Sequence, residues 1–141
     1  MRRQSSVPVL KKRLWAVFSR FIRTRDLPLG CISCGRMIAT IGQGQAGHYF
    51  SRGACPQPSM YFSEQNVHLQ CPRCNLFCEG AKQGYRQGLI QRYGTRILEQ
   101  LDVVRSLPHA PWTRWEYEAM IAVYTQKAKD LDHGRSAQPH G

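Results

Sequence analysis

From Val9 to about Arg25, apolar residues recur every three or four positions: Leu10, Leu14, Val17, Phe18, Phe21 and Ile22. That spacing predicts one helix with a single apolar stripe, and basic side chains fill its other positions. Residues 1–8 read as a loose arm. Asp26-Leu27-Pro28-Leu29-Gly30 stops the helix and turns the chain. Six glycines between Gly30 and Gly53 break any helical period and suit short strands and tight turns. Residues 53–60 read as another loop, and 61–70 hold a short strand. Helical periodicity returns from Cys74 or Asn75 to about Leu107, in two pieces broken near Gly94. Tyr85, Leu89, Ile90, Ile97, Leu98 and Leu101 are its apolar positions. Pro108 and Pro111 mark a break. Trp112 to about Leu131 predicts a last helix, with Trp115, Ala119, Ile121, Ala122 and Tyr124 available for burial. The terminal DHGRSAQPHG reads as a frayed tail. No segment repeats another.

These elements predict an α+β class and a single domain over 9–132. It divides into an N-terminal basic helix (9–26), a strand-and-turn core (27–80) and a helical extension (81–132). The arm 1–8 and the tail 133–141 lie outside it. A chain of 141 residues fits one such domain, and an apolar share of 42% supports a small core. No apolar run approaches the ~20 residues of a membrane span. No apolar stretch follows the basic N-terminus as an export signal requires. The expectation is a chain that stays in the cytoplasm.

Charge changes the picture. Lys and Arg total 20 against 9 Asp and Glu, a net charge of +11. The first 25 residues carry eight basic side chains and no acidic one. Residues 1–80 hold eleven basic and three acidic residues; residues 81–141 hold nine and six. Such a field draws a polyanion to the N-terminal half. Nucleic acid is the leading partner, because each neutralised phosphate releases a counterion. A basic surface without a partner, or one facing an anionic membrane, are the weaker alternatives. Arg13, Arg20 and Arg23 on the first helix are the candidate phosphate contacts there.

Six cysteines without an export signal point to metal or thiol chemistry rather than a disulfide scaffold. Cys31-Ile-Ser-Cys34 and Cys71-Pro-Arg-Cys74 form two CxxC pairs with 36 residues between them. Four thiolates match tetrahedral zinc, with Zn–S bonds of about 2.3 Å. A redox dithiol needs only one pair. A structural zinc would close a 44-residue segment too rich in glycine and polar residues to hold itself together. Cys55 and Cys78 are left as free thiols.

Between the pairs lie Gly47-His48-Tyr49-Phe50-Ser51-Arg52 and Asn66-Val67-His68-Leu69-Gln70-Cys71, and Asn75 follows the second pair directly. This arrangement resembles the HNH, or ββα-metal, nucleases, many of which carry two zinc knuckles. By that resemblance His48 matches the general base, Asn66 the asparagine that orients it, and Asn75 a ligand of a catalytic ion. A longer set of segments narrows the match. FSRFIRTRD, CISCGR, QAGHYFSRG, FSEQNVHLQCPRCN and GYRQGLIQRYG, in that order over roughly residues 18–125, resemble the NinG (Rap) family of lambda-like bacteriophages. The resemblance implies a zinc-stabilised ββα-metal core and a recombination nuclease that cuts Holliday junctions and D-loops. It also implies a bacterial host cell and phage recombination proteins as associates.

The chemistry can be argued from the residues as well. A neutral imidazole has the basicity to take a proton from water near pH 7. A Mg²⁺ or Mn²⁺ ion can stabilise the departing 3′-oxygen as a Lewis acid. A zinc closed by four thiolates has no open position for that duty, so two metals with separate roles are expected. Arg52 and Arg73 join the candidate phosphate contacts. Typical HNH enzymes place an Asp or His ligand just before the base histidine, where this chain has Gly47. His68 is the substitute ligand, and His48 and His68 could exchange roles. Glu64 and Glu79 are the only carboxylates between Asp26 and Glu99. His68 also reads as a plain strand residue and Asn75 as a helix N-cap. His109, His133 and His140 read as structural. Trp112, Trp115 and Tyr124 offer either a homodimer surface or packing onto the core. A non-catalytic zinc-stabilised DNA-binding protein is the alternative function, and an RNA-binding factor a third.

Overall fold

The computed structural model describes residues 3–51, 53, 57–77, 81–108 and 110–136. Arg52, Cys55, Cys78, Glu79, His109 and His140 lie outside the described residues. The chain runs α1 (Val7–Asp26), β1 (Gln45–His48), α2 (Pro58–Tyr61), β2 (Val67–Gln70), α3 (Lys82–Tyr93), α4 (Arg96–Ser106) and α5 (Arg114–Ser136). The class is helix-rich α+β with one small sheet.

Helix α1 buries Leu10, Leu14, Phe18, Phe21 and Ile22, five of the six positions of the apolar stripe. It begins at Val7, inside the expected arm, because Pro8 falls in the first turn, where its missing N–H costs nothing. Helix α5 lies along α1 and closes the larger core. Tyr124 packs edge-on to Phe18, with centroids 4.8 Å apart, and Tyr117 meets Phe62 the same way at 6.1 Å. The buried stripe of α5 is Tyr117, Tyr124 and Ala128, so Ala119 and Ala122 face solvent and Trp115 is 69% exposed. Of the expected positions Tyr124 is buried and Ile121 packs against the same core, whereas Trp115, Ala119 and Ala122 do not. The helix starts with a capping box missed in the sequence: Thr113 Oγ1 accepts from the Glu116 N–H, and Glu116 accepts from the Thr113 N–H. It continues past Leu131 to Ser136, four residues into the expected tail, where only Gly134 weakens it.

The sheet is an antiparallel pair with Gly47 opposite His68 and His48 opposite Val67. Strand β2 is buried on both faces. The buried Asp26 at the end of α1 ties it in place, accepting from the Leu69 N–H at 3.0 Å and from Arg25 at 2.7 and 3.0 Å. Arg25 in turn donates to the carbonyls of Glu64 and Val67. Burial pushes the Asp26 carboxyl up, but the Arg25 hydrogen bond and charge outweigh it and hold the group below its usual range. The short α2 begins at Pro58, within the segment expected as a second loop. After Cys71 the chain makes one π-helical turn, Arg73–Phe77, rather than entering a long helix directly. Helix α3 starts after Ala81, whose φ of 44° is left-handed, and ends at Gly94, whose φ is 83°.

Helices α3 and α4 form a second core with Ile32, Met60, Tyr85, Leu89, Ile97 and Leu101. Gly84 and Gly88 allow α3 to lie directly on the first CxxC loop. A Cβ at Gly84 would come 2.4 Å from the Ser33 carbonyl oxygen, and one at Gly88 2.0 Å from that of Ile32.

Candidate active site and zinc centre

The four CxxC cysteines converge from two loops. Their sulfurs all lie within 4.8 Å of one another, and Cys34 Sγ is 3.8 Å from Cys71 Sγ. Tetrahedral zinc with 2.3 Å bonds needs sulfurs about 3.8 Å apart. The site fits a structural zinc ion. Gly35, at φ 75°, turns the first loop and donates to the Cys31 carbonyl, while the Ile32 N–H donates to Leu69 on β2. Burial raises the Cys31 thiol, but backbone hydrogen bonds around it bring it down to about 7. Burial pushes Cys34 and Cys74 up, and Cys31 adds to that. Cys31 is therefore poised to ionise before Cys34 and Cys74.

His48 ends β1, half-buried. Its Nε2 is 2.9 Å from the Tyr61 carbonyl oxygen. An acceptor there fixes the tautomer: Nε2–H donates, and the lone pair is on Nδ1. The ring stacks on Trp15 of α1 at 5.2 Å and 16°, and lies 4.6 Å from the Tyr61 ring. Asn66 is fully buried. Its Oδ1 accepts from the Phe50 N–H at 2.8 Å, and its Nδ2 donates to the carbonyls of Phe50 and Met60 at 3.1 and 3.0 Å. Asn66 thus joins the chain just after His48 to the residue just before Tyr61.

Gly47 has no room for a side chain. A Cβ there would stand 1.7 Å from Gln70 Oε1 and 2.9 Å from Asn75 Oδ1. Gln70 lies across the strand from its side and donates to Ser33 Oγ at 2.8 Å. Asn75, in the π turn, donates to Gln45 Oε1 at 2.5 Å. Amide oxygens therefore fill the space that an Asp or His ligand would take. Gln70 and Gln45 were missed in the sequence, where glutamines carry no metal signal.

His68 does not share that space. It is fully buried, with Nδ1 3.1 Å from the Tyr85 hydroxyl and Nε2 3.2 Å from that of Tyr93. Burial, helped by Arg25 and Arg92, pulls its pKa down to about 3. Both ring nitrogens are committed to phenols, which leaves neither for an ion. Glu64 accepts from Tyr124 and Lys127 of α5 at 2.9 and 2.6 Å, so it serves the helix packing.

A family model described as the bacteriophage lambda NinG protein matches residues 5–134. The chain belongs to the NinG family. It is 39% identical over 125 residues to protein ninG of Escherichia phage lambda, and equally to that of Salmonella phage P22. It is 37% identical to the protein of Enterobacteria phage H19B. Each match covers 89% of this chain but only 58–59% of the relative, so the chain spans under three fifths of their length. No solved structure matches it.

The basic residues of this NinG chain divide by what they touch. Arg23 is held by Ser19 and by the Ile41 carbonyl at 2.9 Å, which makes it a brace between α1 and the loop. Arg20 meets Asp132 of α5 at 3.4 Å on the surface, and Arg13 donates to Ser5. Arg73 is exposed on the π turn. Lys11 and Lys12 line a groove with Trp15 and Tyr61, the two rings packed on His48. Lys11 and Trp15 stand four residues apart on α1, so they share a helix face. That spacing is the signal available in the sequence, where Trp15 lies off the apolar stripe. Trp112 stacks on Phe62 at 5.7 Å, and Tyr124 is buried, so both pack onto the core. Among the described residues no helix is long and apolar enough to cross a membrane.

Proposed function

We propose that this NinG-family protein is a metal-dependent, structure-selective DNA endonuclease with an HNH-like centre, acting on branched recombination intermediates such as Holliday junctions and D-loops. The observation that carries the reading is the hydrogen bond from His48 Nε2 to the Tyr61 carbonyl, 2.9 Å long, inside a loop pinned by buried Asn66. A histidine serving only as packing needs no asparagine to join the chain beside it to the chain beside its partner.

In this mechanism His48 takes a proton from the attacking water at Nδ1. The Tyr61 carbonyl and the Trp15 face both favour the imidazolium that forms. The hydroxide oxygen bonds to phosphorus, and the bond to the 3′-oxygen breaks. Asn75, whose Oδ1 is turned to the Gly47 backbone, would hold a Mg²⁺ or Mn²⁺ ion, with waters and phosphate oxygens filling its shell. Once bound, such an ion supplies Lewis-acid stabilisation of the leaving oxygen. The CxxC zinc keeps the β1–β2 segment folded and stays out of the reaction.

The test is nicking of a four-way junction with Mg²⁺ or Mn²⁺ by the wild type and by His48→Ala. Loss of cleavage with DNA binding retained supports the reading. Equal cleavage by both proteins rejects the mechanism. If neither cleaves while both bind, the protein is a zinc-stabilised DNA-binding accessory factor.

A further inference from the structure

Beside His48 runs a groove of about 440 Å³, lined by Pro8, Lys11, Lys12, Trp15 and Tyr61. Among the described residues no carboxylate lines it. Lys11 Nζ stands 5.2 Å from the centre of the Tyr61 ring. Trp15 lies 5.2 Å from both Tyr61 and His48, and these two rings are 4.6 Å from each other, so the three meet as one cluster. The groove and the imidazole therefore share two walls, Trp15 and Tyr61. Among the described residues neither Lys11 nor Lys12 enters a salt bridge, whereas Arg20 and Arg25 do.

The geometry points to this groove as a binding site for one unpaired DNA strand leading into the reacting centre. A phosphate beside the scissile bond sits on Lys11 and Lys12, and its sugar and base lie against Trp15. Charge complementarity selects the ligand class: two cations and no acid face a polyanion. Size selects the single strand. The volume falls in the range of about 300–1,000 Å³ typical of small-molecule sites, which suits a nucleotide and not a duplex. Aromatic faces interleaved with cations are the usual means of holding single strands without reading sequence. The inference rests on the nuclease reading for what His48 does, and it adds a physical source of branch preference. A strand can enter the groove only where it leaves its duplex, as it does at a junction or D-loop.

The experiment measures binding of labelled oligothymidylate and of a four-way junction by the full, zinc-loaded chain without added Mg²⁺ or Mn²⁺. Lys11→Gln/Lys12→Gln should weaken oligothymidylate binding about tenfold. It should also flatten the slope of log K against log salt by about 1.4, the value for two phosphates on a single strand. Lys11→Arg/Lys12→Arg should restore both. Lys12→Glu, at an exposed position, repeats the test with little risk to the fold. In a Trp112→Phe/Trp115→Phe background, the oligonucleotide should quench the remaining Trp15 emission. Unchanged affinity and slope in the lysine variants, or no quenching, overturns the groove. Cleavage by His48→Ala separates the two ideas: its loss supports the His48 mechanism, whatever the lysine variants bind. If His48→Ala still cleaves while the lysine variants bind poorly, the groove stands and the His48 mechanism falls.

Discussion

The Tyr85 hydroxyl donates to the Gly47 carbonyl at 2.7 Å, tying α3 to the residue immediately before His48. That bond orders the whole buried chain behind the site. With its proton spent on Gly47, the Tyr85 oxygen accepts from His68 Nδ1–H at 3.1 Å, and His68 Nε2 accepts from Tyr93 at 3.2 Å. His68 therefore acts through β1, as a positioning residue, rather than on DNA.

Tyr85→Phe should cost about 2–3 kcal/mol, because it strands a buried carbonyl and the His68 N–H together. Urea unfolding measures the loss. Junction cleavage should fall further than junction affinity, since the strand end bearing His48 loses its tether. Equal stability in the two proteins would show that the chain of bonds contributes nothing.

The same burial makes the fold acid-sensitive. His68 is neutral in the fold, with its pKa lowered to about 3 from the ordinary 6.5. The unfolded chain then binds the extra proton between those values. Stability is full above about pH 6.5 and falls as the pH drops toward 3. Asp26, held low by Arg25, adds its own loss at the acid end. Urea midpoints taken from pH 7 to pH 4 should decline steadily, and His68→Gln should flatten the upper part of that decline. A wild-type midpoint constant over this range would refute the assignment.

Much of this was legible before any coordinates. The three-and-four spacing from Leu10 to Ile22, the break at Gly94 and the paired CxxC motifs each rest on a local rule, and each has its counterpart in the fold. What was hidden depends on distant partners. Gln70 gains its meaning from Gly47, 23 positions earlier in the chain and beside it across the sheet. Arg23 reads as a surface cation until the Ile41 carbonyl is placed against it. His68 alternates in sequence like any half-exposed strand residue, yet β2 is covered on both faces. Trp15 falls off the apolar stripe yet packs on both Phe18 of the main core and His48, a pairing visible only in the fold.

Gly47 is the position where packing and chemistry meet most closely. Gly47→Ala drives a methyl into Gln70 Oε1, at 1.7 Å before relaxation. Overpacking of this kind costs about 1–3 kcal/mol. Gln70→Ala removes the obstructing amide, so the pair Gly47→Ala/Gln70→Ala should recover part of the loss. A double-mutant cycle in urea measures the coupling. Additive losses would place Gln70 away from Gly47. Gly47→Asp with Gln70→Ala extends the idea: it would supply the carboxylate that typical HNH centres have, and should raise the apparent affinity for Mn²⁺ in cleavage.

Zinc removal tests the remaining support. The α1–α5 pair and the cysteine centre belong to different buried clusters, the first built on aromatic packing and the second on the thiols of Cys31, Cys71 and Cys74 and a few aliphatic side chains. The first should outlast the second. One zinc per chain should be recovered from the purified protein, and Cys31→Ser should lose it. Because binding displaces protons from the thiols, zinc affinity should fall as pH drops. A strong chelator should abolish cooperative unfolding and junction cleavage while most of the helical circular dichroism persists. Readdition of zinc should restore both. If cleavage with Mg²⁺ or Mn²⁺ survived in a metal-free Cys31→Ser protein, the β1–β2 segment would be holding His48 in place without its clasp.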